Sequence, residues 1–314
     1  KFAKTGAEAM SIAIRIARAY VKKDKVAFSG YHGWSDWYLA TNLGESDNLK
    51  SHLLPGLSTY GVPKGLKNTV VPFIYNDVDD LKKVFLKNSD IGVICIEGER
   101  FDYPKTSFLK TIMDIAKKKN IVIVSDEITS GWRVTDGGVY KINGFKPDIV
   151  VYGKGLGGGY AISAVVGKKN IMDVANDTFI SSTMFTERVG FSAALKTIEI
   201  ICRDKVWEHL IEMGTIIGDA WMDLAIKYNL RLSINEFKPL ISFKLDYGDK
   251  NNLINTLFIQ EMLKRGYIAS NSIYLSYAHK KSMLNKYIKT VDEVFSIIKK
   301  TLNENKLEKK IKGS

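Results

Sequence analysis

The chain has 314 residues, of which 45% are hydrophobic and 25% charged, with 25 glycines and 6 prolines. This composition is typical of a globular protein and excludes disordered, collagen-like and low-complexity chains, and no apolar run reaches the roughly 18 residues of a membrane-spanning helix. Cys95 and Cys202 are the only cysteines. They are too few for a disulfide framework, so we expect a protein of the reducing cytoplasm.

The net charge is +12, from 46 lysines and arginines against 34 aspartates and glutamates. A basic balance is compatible with a nucleic-acid or membrane-surface partner, but the lysines are scattered along the chain. We therefore expect a lysine-rich exposed surface, with no nucleic-acid and no membrane partner. Residue 1 is Lys rather than Met and a helix signal follows almost at once, so we expect a fragment of a longer protein.

Helices and buried strands alternate from Thr5 to about Phe185. Apolar residues at helical spacing predict helices, and continuous apolar runs predict strands that are buried on both faces. In chain order the predicted elements are helix 7–22, strands Lys25–Phe28 and Ile91–Glu97, helix Phe108–Lys119, and strands Ile121–Asp126, Asp148–Tyr152 and Ala161–Val166. This alternation predicts an α/β fold with a mostly parallel sheet sandwiched by helices.

After about Thr186 the pattern changes to long helices and half-buried strands. The predicted elements are helices Ala193–Val206, 208–228, Asn252–Lys264 and Lys281–Asn303, with strands Leu240–Leu245, Tyr267–Ala269 and Ile273–Tyr277. We expect a large α/β domain over residues 1–195 and a smaller α+β domain over residues 196–314.

The residues Thr5-Gly6-Ala7-Glu8 form a capping box at the start of the first helix. Taken alone, they indicate an ordinary helix start. The same geometry also presents the backbone N–H groups of Gly6 and Ala7 at the positive end of a helix, where they suit a phosphate group.

Two charged side chains follow buried strands, at the sheet edge where ligands bind in open parallel sheets. Asp126 closes a hydrocarbon strand, so its carboxylate either braces the next loop or pairs with a cationic ligand nitrogen. Lys154 lies in the run GKGLGGG, where glycines let a ligand approach the backbone. Lys154 is either a solvated loop lysine or a Schiff-base nucleophile whose pKa is lowered by desolvation.

Pyridoxal 5'-phosphate requires three features of a protein: a phosphate-binding site, a carboxylate that pairs with the ring nitrogen and a lysine that reacts with the aldehyde. Tyr31 or His32 would stack on the ring, with core packing as the alternative reading. The histidines and cysteines lack zinc-ligand spacing, so we expect no metal. The glycine spacing differs from that of a Rossmann site, and the sequence contains no P-loop and no Gly-x-Ser-x-Gly elbow.

Five stretches of this sequence resemble the class III pyridoxal-phosphate aminotransferases in their order and spacing. They are KTGAEAMSIAIRIARAY, SGYHGW, VSDEITSGWR, GKGLGGGYAISAVVG and STMFTERVG. The chain looks most like the glutamate-1-semialdehyde aminomutase-like branch that is found with surface-polysaccharide genes, and the resemblance extends from Thr5 to about Ile298. It implies fold type I and a homodimer with active sites at the subunit interface.

The resemblance also implies roles for individual residues. Lys154 would form the Schiff base with the cofactor aldehyde, and Asp126 would pair with the pyridinium nitrogen; these two are the predicted catalytic residues. The other predicted cofactor contacts are backbone amides, a hydroxyl group, ring-packing side chains and a threonine that reaches the neighbouring subunit's phosphate: Gly6, Ala7, Thr5, Tyr31, His32, Ile128 and Thr183.

The resemblance identifies the cofactor contacts more closely than it identifies the substrate. The aminomutase pattern after Thr183 continues Ser-Gly-Asn-Pro, which this chain lacks. An anionic substrate needs cations, and Arg100, Arg133 and Arg188 lie near the motifs. Arg188 and Glu97 are the candidate substrate contacts, while Arg133 either contacts the substrate or braces its own turn. The resemblance implies a ping-pong aminotransferase that passes through pyridoxamine phosphate, in surface-polysaccharide or amino-sugar metabolism. The alternatives are an intramolecular glutamate-1-semialdehyde aminomutase and a non-catalytic basic binding protein on a relic fold.

Overall fold

A computed structural model describes residues 1–44, 57–99 and 101–311. The chain divides into two compact units, one made of Lys1–Arg100 and Pro104–Asp204, the other of Phe101–Tyr103 and Lys205–Ser314. The predicted boundary between residues 195 and 196 lies within a helix of the first unit and stays a prediction. Among the described residues, none of the helices combines the length and the apolar character needed to cross a membrane.

The described residues of the first unit form seven strands and seven α-helices. The strands are β1 Phe2–Ala3, β2 Lys25–Ser29, β3 Val70–Pro72, β4 Ile91–Glu97, β5 Val122–Asp126, β6 Ile149–Tyr152 and β7 Ser163–Gly167. The helices are α1 Gly6–Val21, α2 Asp36–Leu39, α3 Val78–Lys87, α4 Thr106–Lys119, α5 Tyr140–Asn143, α6 Lys169–Met172 and α7 Arg188–Asp204. Short 3-10 helices include Lys154–Gly157 and Thr183–Thr186.

The seven strands form one sheet in the order β1-β7-β6-β5-β4-β2-β3. The strands from β6 to β3 in this order run parallel, whereas β7 is antiparallel to β6 and β1 is antiparallel to β7. The predicted mostly parallel sheet is confirmed. Glu97 pairs with Asp126, and Asp126 with Val151, so the carboxyl ends of β4, β5 and β6 meet at one edge.

Helices cover both faces of this sheet, as the fully buried pattern of β4 requires. Val93 and Cys95 of β4 belong to the core cluster that contains the apolar face of α1. The alternate residues Ile94 and Ile96 belong to a second cluster, which contains the buried face of α4. Because successive strand residues point to opposite faces, β4 contributes to two cores at once.

The second unit is an α+β assembly around a three-stranded antiparallel sheet in the order β10-β9-β8. Its strands are β8 Leu232–Ile234, β9 Leu240–Leu245 and β10 Ser272–Tyr274. Its helices are α8 Val206–Lys227, α9 Asn251–Lys264, α10 Lys281–Asn303 and α11 Leu307–Lys310. The fully buried Trp221 of α8 packs edge-on against Phe243 of β9 and donates its indole N–H to Tyr287.

The predicted strand Tyr267–Ala269 is wrong, because this segment pairs with no strand. The backbone N–H of Tyr267 instead donates to Met262 at 3.0 Å and closes the end of α9, after a turn at Gly266 with φ +83°. Ile268 is fully exposed, so the apolar run does not face a core. Local hydrophobicity therefore misled the strand assignment here.

Candidate active site

The start of α1 is built as the capping box requires. The hydroxyl of Thr5 accepts from the backbone N–H of Glu8 at 3.3 Å, and the Glu8 carboxylate accepts from the Thr5 N–H at 2.9 Å. The first N–H groups of a helix have no intrahelical acceptor, so those of Gly6 and Ala7 are available to an anion. A Cβ at Gly6 would lie 2.9 Å from Cδ1 of Ile128, so only glycine fits here without a shift of that side chain.

A tight turn follows β2 and delivers Tyr31 to the same region. Gly30 and Gly33 have φ values of +108° and +96°, which favour glycine. A Cβ at Gly33 would lie 2.9 Å from the Cβ of Ala7, so this turn packs directly on the start of α1. Glu97 is buried and accepts from the Tyr31 backbone N–H at 2.9 Å. The structure therefore places this carboxylate behind the turn.

His32 is fully buried between the turn and the end of β5. Its Nδ1 lies 2.8 Å from Oδ2 of Asp126, and its Nε2 lies 3.2 Å from the Ser29 carbonyl and 3.6 Å from the thiol of Cys95. A carboxylate can only accept, so Nδ1 carries a proton. Burial opposes a charge on the ring, but Cys95 and Asp126 outweigh it and hold the pKa of His32 well above its ordinary value.

The residues after Asp126 form a buried, hydrogen-bonded turn. The second carboxylate oxygen of Asp126 accepts from the Ile128 N–H at 3.0 Å. Glu127 points into the protein, where it accepts from the Ser130 hydroxyl and from the Val139 N–H. Burial raises the pKa of Glu127, although its hydrogen bonds oppose that shift. Asp126 thus faces the candidate site, while Glu127 anchors the loop.

Lys154 follows β6 with a left-handed backbone, at φ +41°, and begins the 3-10 helix Lys154–Gly157. Its Nζ donates to the Thr129 hydroxyl at 2.8 Å. A Cβ at the preceding Gly153 would lie 3.4 Å from Cγ2 of Ile128, which is ordinary contact. The amine of Lys154 is therefore directed toward the turn that follows Asp126.

These groups line one cavity of about 230 Å³. All of the predicted cofactor residues except Thr183 are in its wall, together with three residues that the sequence analysis did not single out: Gly33, Trp34 and Thr129. The cavity combines helix-start amides, a buried carboxylate paired with a histidine, and a primary amine. Such a set can bind an anion, a protonated ring nitrogen and an aldehyde. In the described part of the chain, no cluster of His, Cys, Asp and Glu is suited to a metal ion.

The predicted residues Thr183 and Arg188 are exposed and are not among the residues that line the cavity. Glu187, between them, accepts from the N–H groups of Val189 and Gly190 and forms an ion pair with Lys4. This pairing with Lys4 lowers the pKa of Glu187. The segment is thus tied to the residues that precede α1.

Of the two other arginines near the motifs, the structure describes Arg133 and not Arg100. Nε of Arg133 donates to the Thr129 carbonyl at 2.8 Å, so Arg133 braces its own turn. Arg100 lies outside the described residues. Thr129 itself was missed, although its position in the DEIT sequence, directly after the strand that ends at Asp126, was a usable signal.

Comparison with known proteins gives concordant results. The sequence profile of class-III aminotransferases matches residues 1–295. The chain is 31% identical over 311 residues to the 3-aminobutyryl-CoA aminotransferase of Cloacimonas acidaminovorans, covering 95% of this chain and 71% of that protein. It is 32% identical over 324 residues to the glutamate-1-semialdehyde 2,1-aminomutase of Nitrosopumilus maritimus, covering 95% and 74%.

Solved transaminase structures have a similar fold. An omega-transaminase from Sphaerobacter thermophilus superposes with a TM-score of 0.85 at 19% identity, over 95% of this chain and 74% of that one. The FumI protein of Sphingopyxis sp. MTA144 also gives a TM-score of 0.85, at 22% identity, over 96% and 72%. At these identities the likeness establishes the architecture.

Proposed function

The chain belongs to the class-III aminotransferase family, and from that premise we propose that it is a pyridoxal-5'-phosphate-dependent aminotransferase that moves an amino group from a donor to a carbonyl acceptor. Enzymes of this family act on small molecules, and membership leaves the non-catalytic alternative without support. The observation that carries the proposal is the cavity that contains Lys154, Asp126 and the start of α1.

The residues in the wall fit this cofactor. Glycine at position 6 lets Ile128 pack against the start of α1, whose backbone amides suit a phosphate. Asp126 presents a carboxylate for a protonated ring nitrogen, and Tyr31 offers an aromatic face for the ring. Lys154 supplies the amine for the aldehyde. We therefore assign these residues, with Thr5, Ala7, His32 and Ile128, to cofactor binding.

The bound cofactor supplies an electron-withdrawing ring that stabilises negative charge on the substrate carbon. Asp126 would hold a proton on the ring nitrogen of the cofactor. Hydrogen bonds from His32 and from the Ile128 amide orient the two carboxylate oxygens of Asp126. When the substrate amine takes the place of Lys154 on the cofactor, the freed ε-amine would be the base that removes the proton from the substrate carbon bearing the amino group. The raised pKa of His32 favours its protonated form, which donates a hydrogen bond to Asp126.

An intramolecular aminomutase is the second candidate, favoured by the 32% identity to the Nitrosopumilus maritimus enzyme. The two activities differ in one measurable respect. An aminotransferase needs a separate carbonyl acceptor for turnover, whereas an aminomutase converts a single amino-carbonyl substrate. We propose the aminotransferase because the residues after Thr183 depart from the aminomutase pattern.

We also propose a homodimer with shared active sites. Large apolar side chains are exposed in the single chain, among them Trp34 of the cavity wall at 73% and Phe179, which lines a neighbouring pocket with Trp34, at 86%. Met184, next to Thr183, is 58% exposed. A second copy would bury this surface and bring Thr183 and Arg188 of one chain toward the other chain's site. A sedimentation experiment tests this, and a monomer in the presence of cofactor would contradict it.

Because both cysteines are free thiols, we propose the cytoplasm as the compartment.

A donor and acceptor screen tests the proposed function. The protein is loaded with the cofactor and mixed with amino acids or ω-amines, and the near-visible absorbance of the cofactor is followed. We expect a donor to remove this absorbance and a keto acid, an aldehyde or a keto sugar to restore it. Loss of absorbance without restoration by any acceptor, combined with turnover of glutamate semialdehyde alone, would favour the aminomutase.

A further inference from the structure

We propose that Thr129 is a positioning residue that holds the ε-amine of Lys154 in its reactive place. The contact is direct, because the Lys154 Nζ donates to the Thr129 hydroxyl at 2.8 Å. Both side chains are in the wall of the cavity, and Thr129 is only 6% exposed. This inference rests on the proposed role of Lys154 as the cofactor lysine.

The turn that carries Thr129 is fixed from within the protein. The carboxylate of Glu127 accepts from the Ser130 hydroxyl and the Val139 N–H, and the Glu127 carbonyl accepts from the Gly131 N–H at 2.7 Å. On the other side of the turn, Arg133 donates to the Thr129 carbonyl. Since the backbone is held at both ends, the Thr129 hydroxyl is a preorganised acceptor rather than a mobile one.

Lys154 needs such an acceptor, because its own segment does little to orient a long side chain. Its backbone is left-handed, it is flanked by glycines, and the residue is exposed in the isolated chain. A lysine side chain has many rotamers, so without a fixed acceptor its amine spends little time in any one orientation. The fixed Thr129 hydroxyl favours those Lys154 rotamers that place the amine within hydrogen-bond distance of it, beside the turn that follows Asp126.

The variant Thr129→Val tests this role, since valine keeps the shape and β-branching of threonine and has a methyl group in place of the hydroxyl. Thr129→Ser keeps the hydroxyl and loses the methyl group. Thr111→Val is the matched control, because Thr111 is a half-buried threonine of α4, outside the cavity wall, whose hydroxyl donates to the Ser107 carbonyl. If Thr129→Val fails to fold, as judged by its thermal unfolding midpoint, Thr129→Ala takes its place.

The measurement is the rate at which cofactor-free protein incorporates pyridoxal 5'-phosphate covalently. In this reaction the lysine nitrogen replaces the aldehyde oxygen, which leaves as water. Borohydride then reduces the carbon–nitrogen double bond, and mass spectrometry finds the modified peptide. A hydrogen bond to an amine that becomes charged is worth about a tenfold change in rate, so we expect Thr129→Val to be about tenfold slower. Thr129→Ser is expected within about twofold of the wild type, and Thr111→Val unchanged.

Three negative results are distinguishable. If the wild type modifies Lys154 and Thr129→Val does so at the same rate, the proposed role of Thr129 is overturned while the function stands. If Thr129→Ser is as slow as Thr129→Val, the hydroxyl is not the relevant group, and the role is again overturned. If the wild type itself carries no modification on Lys154, the proposed function fails and this inference fails with it.

Discussion

The packing of the turn at Gly33 against the start of α1 leads to a strong prediction about the substitution Gly33→Ala. Gly33 has φ +96°, and an added Cβ would lie 2.9 Å from the Cβ and 3.1 Å from the Cα of Ala7. The backbone of Ala7 would have to move. That backbone is in the cavity wall, so a local clash becomes a change in the binding site.

The magnitude has two parts, which a second glycine separates. Gly61 has φ +86° but has no atom within 4 Å of an added Cβ. Gly61→Ala therefore measures the backbone conformation alone, which costs about 1–2 kcal/mol. Gly33→Ala adds the crowding of a packed site, about 1–3 kcal/mol more. We expect losses in the free energy of unfolding of about 1 kcal/mol for Gly61→Ala and about 3 kcal/mol for Gly33→Ala.

Urea unfolding of the cofactor-free variants measures the stability difference, and titration with pyridoxal 5'-phosphate measures the binding. We expect Gly33→Ala to bind the cofactor at least about tenfold more weakly than the wild type, which corresponds to about 1.4 kcal/mol. Gly61→Ala should bind it normally. Equal stability loss and equal cofactor affinity in the two variants would refute the packing argument.

Three further substitutions have specific expected outcomes. Because the pKa of His32 is raised in the fold, its protonation stabilises the protein fully below about pH 6.5, and this stabilisation is lost as the pH rises through the raised pKa. In urea unfolding, the wild type should therefore be more stable than His32→Gln by a larger margin at about pH 6 than at about pH 9. Asp126→Ala breaks a buried pair and should cost about 3–5 kcal/mol in the same assay; a loss near zero would show that the pair is not coupled. Arg188→Ala should raise the apparent KM for an anionic substrate and leave the cofactor absorbance intact, and unchanged kinetics would remove Arg188 from the site.

The parallel sheet and its functional edge were predictable because the relevant signals are local and strong. The run Ile91–Glu97 forms β4 over the same residues, and α1 was expected over 7–22 and observed at Gly6–Val21. Thr5 and Glu8 form the capping box that their spacing indicates. Charged residues directly after buried strands then predicted where the cavity would be.

Other features depend on contacts between distant segments, which periodicity does not contain. The short strand β3 and the edge strand β1 were not predicted, because they are defined by their partners β2 and β7. The role of Glu97 as acceptor for the Tyr31 amide, and that of Thr129 as acceptor for Lys154, depend on the fold bringing these loops together. The predicted strand Tyr267–Ala269 is wrong because local apolar residues suggested a strand where the fold provides no partner strand to pair with it.

The identity of the lysine that binds the cofactor is the most direct test of the whole account. The protein is incubated with pyridoxal 5'-phosphate, reduced with borohydride and mapped by peptide mass spectrometry, beside the variants Lys154→Ala and Lys168→Ala. Lys168 is an exposed lysine just after β7 and is the control, because its amine pairs with Asp148 outside the cavity. We predict one pyridoxyl group on Lys154 in the wild type and in Lys168→Ala, and none in Lys154→Ala. Labelling of a different lysine, or none in the wild type, would contradict the account.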